Sequence, residues 1–129
     1  MMMSENIGKL LLRLMLGGMM LFHGIDKVSQ GISFIKGLVR GQGLPEMLAY
    51  GVYVGEILAP LLLILGWKSK LWAGVIAINM LVAIYLAHAG DIFKLGAHGS
   101  WAIEVPMFYF LGALAVIFLG SGKYAVSRD

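Results

Sequence analysis

The stretch Met47–Leu65, MLAYGVYVGEILAPLLLIL, decides how this chain is read. It carries one charge, Glu56. It is about as long as the 20 or so mostly apolar residues that a helix needs to cross a bilayer. Its apolar character is continuous, whereas a barrel strand would alternate apolar and polar residues over about 10 positions. The run therefore predicts a membrane-spanning helix. Three more runs of the same kind flank it, at about 7–25, 71–90 and 101–119. The expected fold is all-α: one integral membrane four-helix bundle over residues 1–129.

Composition agrees. The chain is 60% hydrophobic and 13% charged, with a mean hydropathy of +0.86. Soluble domains are about 25% charged, and a small domain leaves much of its surface exposed. Lipid is the expected solvent for this excess. The net charge of +3 is spread between apolar runs. Without a basic patch or interleaved aromatics, nucleic acid is not an expected partner. The absence of cysteine excludes disulfides, thiol catalysis, and cysteine-ligated zinc or iron–sulfur clusters.

The first run has Lys9 and Arg13 near its start, as a signal peptide would. No small-x-small cleavage site follows Phe22-His23-Gly24, so a retained helix is expected. Between the first two spans, Ile32, Phe34, Ile35, Leu38 and Val39 alternate with Lys36 and Arg40. That spacing suits a short interfacial amphipathic helix, and an ordinary loop on the bundle mouth is the alternative. Gly66-Trp67-Lys68-Ser69-Lys70 reads as a tight basic turn with an interfacial tryptophan. Lys9, Arg13, Lys68, Lys70, Lys123 and Arg128 fall on one side, and Lys27, Lys36, Arg40 and Lys94 on the other. The bias favours both termini in the cytoplasm.

Ionisable residues within spans are costly and mark candidate sites. Arg13 lies twelve residues from Ile25, Glu56 nine from Met47 and Asn79 eleven from Gly90. Counted from these ends at about 1.5 Å per residue, the three share one mid-bilayer layer. Arg13 and Glu56 then form the obvious pair. It could be an ion pair that sets helix register, or with Asn79 a ligand-binding site for a polar head group. Pro60 lacks the N–H that would bond the Glu56 carbonyl. The result is either a packing kink or a free acceptor beside a carboxylate.

His23, His88 and Glu104 form a second layer near one surface and are candidate proton-relay residues, since imidazole exchanges protons near neutral pH. No HxxxH or HxxE spacing supports a metal site. On an ideal helix His88 falls half a turn out of phase with Asn79, so both cannot point inward. The methionines read as adaptable packing. Gly17-Gly18, and Gly51 with Gly55, read as close-packing faces that also suit self-association.

The ordered set Arg13, Gly17, Phe22-His23-Gly24, Lys27, Gly43-Leu44-Pro45, Gly55-Glu56, Leu65-Gly66, Trp101, Glu104 and Gly120-Ser121-Gly122-Lys123-Tyr124 resembles the DoxX family of small four-span membrane proteins. The tail departs from the family's usual ending, with Ala125 in place of Ser and Ser127 in place of Asp. The resemblance implies a protein of the bacterial cytoplasmic (inner) membrane. It also implies a membrane subunit of a redox system, in the manner of thiosulfate:quinone oxidoreductase. The expected ligand is a quinone or another lipid-soluble, polar-headed molecule, and the expected partner an oxidoreductase subunit. No intrinsic cofactor and no autonomous catalytic motif is expected. An assembly or scaffold subunit is the alternative function, and a small-molecule transporter a third.

Overall fold

A computed structural model describes residues 3–127 and 129; Met1, Met2 and Arg128, the last counted above toward orientation, lie outside the described residues. Helix α1 runs Met3–Gln30 and α2 Ser33–Gly41. Helices α3 (Glu46–Leu65) and α4 (Ser69–Ala87) follow, and α5 runs Glu104–Leu119. Among the described residues there is no β-strand, only an isolated bridge between Leu95 and Trp101. The chain is an all-α bundle whose apolar helices suit a membrane. Helices α1, α3 and α4 are long and apolar enough to cross one. Helix α5, with 16 residues, spans only about 24 Å.

The helices close a ring. α1 packs on α3, α3 on α4, α4 on α5 and α5 back on α1. Leu16, Met20, Ala59, Leu63, Ile76, Met80 and Val116 fill the centre. The amphipathic α2 lies across one end, where Ile32 and Val39 pack on Ala49 of α3 with Leu86 of α4 alongside.

Helix ends differ from the expected bounds, for local reasons. α1 continues past Ile25 to Gln30, about 42 Å in all, more than a bilayer core. α4 stops at Ala87, three residues short of Gly90, and His88 leaves the helix with φ −131°. α5 begins at Glu104, so Trp101 stands outside it. The preceding loop captures Trp101: its indole N–H donates to the Ile92 carbonyl (2.6 Å) and its backbone pairs with Leu95. Pro106 falls in the first turn of α5, where a missing N–H costs nothing.

Two glycines set how α1 meets α3. A Cβ on Gly17 would come within 2.9 Å of the Pro60 carbonyl oxygen, and one on Gly24 would collide with the Glu56 carbonyl. The close approach at Gly24 is to the carbonyl that Pro60 cannot satisfy. Val54–Leu58 widens into a π-helical turn just before that proline, a distortion that accommodates its ring. Gly24 therefore lies level with Glu56, and Gly17 level with Pro60. End-counting had placed Ile25 level with Met47. The two helices are shifted by more than a turn from that register, and the shared layer of Arg13, Glu56 and Asn79 is not formed.

Candidate functional site

The shift separates two polar clusters. The first surrounds Arg13, which is 1% exposed. A guanidinium has five N–H donors, and all are used on backbone carbonyls. Nε donates to Leu63 (3.2 Å). Nη1 donates to Ser121 and Tyr124, both at 2.9 Å. Nη2 donates to Ile64 and Tyr124, both at 3.1 Å. The expected Arg13–Glu56 pair is thus replaced. Arg13 sits at the C-terminal end of α3, where a cation also favours the helix dipole.

The last carbonyls of α3 need partners because no helix continues beyond them. The backbone N–H groups of Gly66 and Trp67 reach the Leu62 carbonyl, with Gly66 in the left-handed conformation (φ 79°). Arg13 takes Leu63 and Ile64, and Val126 N–H takes Leu65. The tail then serves α4. The Asp129 carboxylate accepts from the backbone N–H groups of Ser69 and Lys70 and from the Ser121 hydroxyl. Ser127 Oγ accepts from Lys68 N–H (2.9 Å). Where the family ending usually has an acid, Ser127 caps one donor and Asp129 caps two. Burial works against the Asp129 charge. The Ser121 hydroxyl and the Lys70 and Ser69 N–H groups outweigh it and hold the carboxyl below its ordinary 3.8.

The second cluster surrounds Glu56, at the opposite end of α1. Its Oε1 lies 2.8 Å from Lys27 Nζ, with side chains 7% and 25% exposed respectively. Its Oε2 accepts from the Asn79 amide at 3.3 Å. Tyr53 donates to the Lys27 carbonyl (3.4 Å). Gly55 lets α4 come close, since a Cβ there would stand 2.6 Å from Asn79 Cγ. This cluster opens onto a cavity of about 650 Å³ between α2, α3 and α4. Lys27, Glu56, Asn79 and His88 supply its charged and amide groups, against walls that include Leu38, Leu48, Val52, Val75 and Val82.

Of the six residues singled out from sequence, Glu56, Asn79 and His88 line this cavity. Asn79 and His88 do so together because α4 ends between them, which removes the phase conflict of an uninterrupted helix. Arg13 is elsewhere, held as described. His23 is exposed and meets Tyr109 edge-on at 5.4 Å, and Glu104 is exposed in the first turn of α5. The relay layer of His23, His88 and Glu104 does not converge on the cavity. Among the described residues no group of three or more His, Cys, Asp or Glu could hold a metal ion.

Sequence reasoning missed Lys27, which it counted as a loop cation because α1 was ended at Ile25. The signal was its spacing. Fourteen residues after Arg13, at 100° per residue, Lys27 returns to within about 40° of the same face.

Glycines at the α1–α3 crossing and a carboxylate between Gly55 and Pro60 organise the chain from α1 to α4. The DoxX family model matches residues 8–89. The chain belongs to the DoxX family. The match takes in most of α1 and all of α2, α3 and α4, so the Glu56 cavity of this DoxX protein lies wholly inside it. Trp101, Glu104 and the tail, which also carried the sequence resemblance, lie beyond the matched residues. No curated protein and no solved structure matched.

Proposed function

We propose that this membrane protein binds a lipid-soluble molecule with a polar head, of the quinone type, in the Glu56 cavity. The observation that carries the reading is a partly buried Lys27–Glu56 ion pair, joined by Asn79, at the wall of a mainly apolar cavity. Ligand sites combine apolar walls with a few converging polar groups in this way. A quinone ring carbonyl needs donors, which Lys27 and Asn79 supply. The hydroxyl of the reduced form needs an acceptor, which Glu56 supplies. His88, at the cavity wall beside Asp91 (3.5 Å), is the group suited to pass protons outward. Arg13 belongs to the packing of the opposite end in this reading.

The chain would act as the membrane subunit of a redox system, with the electron-carrying chemistry on a partner oxidoreductase. Its place would be the cytoplasmic (inner) membrane, with both termini in the cytoplasm. The excess of Lys and Arg on the side of the two termini supports that orientation.

Titration of the purified protein with a ubiquinone analogue tests the reading. Saturable binding is expected, weakened about tenfold or more in Glu56→Gln and in Lys27→Met, as loss of a hydrogen bond to a charged group entails. Asp129→Asn should bind within about twofold of wild type, because its contacts lie at the other end. Absence of saturable binding, or equal binding by all four proteins, overturns the proposal.

A further inference from the structure

The walls of the Glu56 cavity are not all internal. Phe34 of α2, Leu48 of α3, and Ile78 and Val82 of α4 line it, yet they are 74%, 58%, 63% and 47% exposed. In a chain whose long helices are lipid-facing, exposed apolar side chains at a cavity wall form a mouth open to the bilayer. The surroundings toward water are polar and tied. The Tyr85 hydroxyl donates to Gln42 Oε1 (3.1 Å). Arg40 and Lys36 lie 3.6 and 3.9 Å from Glu46, fastening α2 to the start of α3.

The inner end has its own selectivity. Lys27 and Glu56 bring one positive and one negative charge, 2.8 Å apart, so the pair is neutral as a unit. An anionic head would meet the Glu56 carboxylate and a cationic head the Lys27 ammonium. Either would have to part a partly buried pair, which is unfavourable because it leaves the Glu56 charge, only 7% exposed, uncompensated. A neutral head that accepts from Lys27 and Asn79, and donates to Glu56 where it carries a hydroxyl, can join the pair without breaking it. The Asn79 bond to Oε2 (3.3 Å) is longer than the ion pair and is the contact to the carboxylate that a head can exchange.

We infer that the cavity is loaded sideways from the bilayer, through the mouth between α2 and α4. Its occupant is an uncharged amphiphile whose head offers a hydrogen-bond acceptor and, in a hydroxyl-bearing form, a donor as well. This deepens the ligand reading above and rests on the same cavity. It separates the site from that of a phospholipid, whose head is charged, and from a path for water-soluble solutes.

The test uses the full chain in lipid nanodiscs with three photoreactive amphiphiles that share one long alkyl chain. Their heads are a hydroxyl, a sulfonate and a quaternary ammonium, and adducts are mapped by mass spectrometry. The hydroxyl probe should label α3 and α4 cavity peptides saturably, with the charged probes at least about tenfold weaker. Ile78→Trp and Val82→Trp, each placing a bulky ring at the mouth on a lipid-facing position, should each lower hydroxyl-probe labelling severalfold. Both variants should keep the thermal stability of wild type; Phe34→Trp, on the other lip, serves in place of either that does not.

Equal labelling by the three probes overturns the charge selection. Labelling unchanged in every folded mouth variant overturns the sideways route. Competition by a ubiquinone analogue separates the two proposals. Selective hydroxyl-probe labelling that quinone cannot displace leaves this inference standing and removes the quinone. Displacement by quinone with equal labelling from charged probes does the reverse.

Discussion

Arg13 and Lys27 stand on one helix, about 21 Å apart by helical rise, and the two ends they occupy are built on opposite plans. Arg13 is almost fully buried and has placed every donor on a main-chain carbonyl. Nothing is left over for a ligand. Lys27 makes one side-chain bond, to Glu56, and keeps an edge on a cavity. The contrast separates a buried charge that is fully engaged from one that keeps hydrogen-bonding capacity for the proposed ligand. What matters is whether the surroundings have used up its hydrogen-bonding capacity.

Replacing the cations should expose the difference. Arg13→Met leaves carbonyls of α3 and the tail without their donor, each a desolvation penalty of about 1–3 kcal/mol. The effects are not additive, and a total loss of about 3–5 kcal/mol is expected. It would be read as a large drop in the midpoint of denaturant unfolding in detergent. Arg13→Lys should recover only part, since an ammonium has three donors and no planar fork. Glu56→Gln, which keeps the shape and an acceptor, should cost less than Arg13→Met while affecting ligand binding far more. If the ranking reverses, the assignment of one end to structure and the other to binding fails.

The glycines sharpen the comparison next. Gly24→Ala drives a methyl into the Glu56 carbonyl. It should destabilise by about 1–3 kcal/mol, as overpacking does, and weaken ligand binding by moving Glu56. Gly18→Ala, with open space around it, should stay within about 0.5 kcal/mol and leave binding alone. Thermal unfolding together with the quinone titration checks both.

The smallest effect belongs to the tail. Asp129→Asn, which keeps an acceptor and removes the charge, should cost about 0.3–1 kcal/mol, the usual worth of a negative charge at a helix N-terminus. The wild-type contribution has a definite pH dependence. Its folded value lies below the ordinary 3.8, so the stabilisation is present above 3.8 and is lost as pH falls through the lower folded value. Unfolding midpoints of wild type and Asp129→Asn should converge at the acidic end of that window. The ligand site should not sense the change.

From sequence alone, the helical class, the membrane setting and the presence of Glu56 and Asn79 as polar groups within apolar runs were legible. Each follows from local rules: a continuous apolar run, and the cost of a polar group within it. The family resemblance was legible too, because an ordered set of residues can be recognised without coordinates. The short amphipathic α2 was legible as one of two readings. Partners were not. Arg13 was joined to Glu56 because helix ends were taken as fixed reference points, and Lys27 was left in a loop for the same reason. The tertiary structure decided the register of α1 against α3, through the absence of a Cβ at Gly17 and Gly24. It also decided where α4 stops, and with that whether His88 shares a wall with Asn79. A continuous apolar run determines that a helix is able to span. Which residues end up level with one another depends on contacts between segments far apart in the chain, and no single run encodes those.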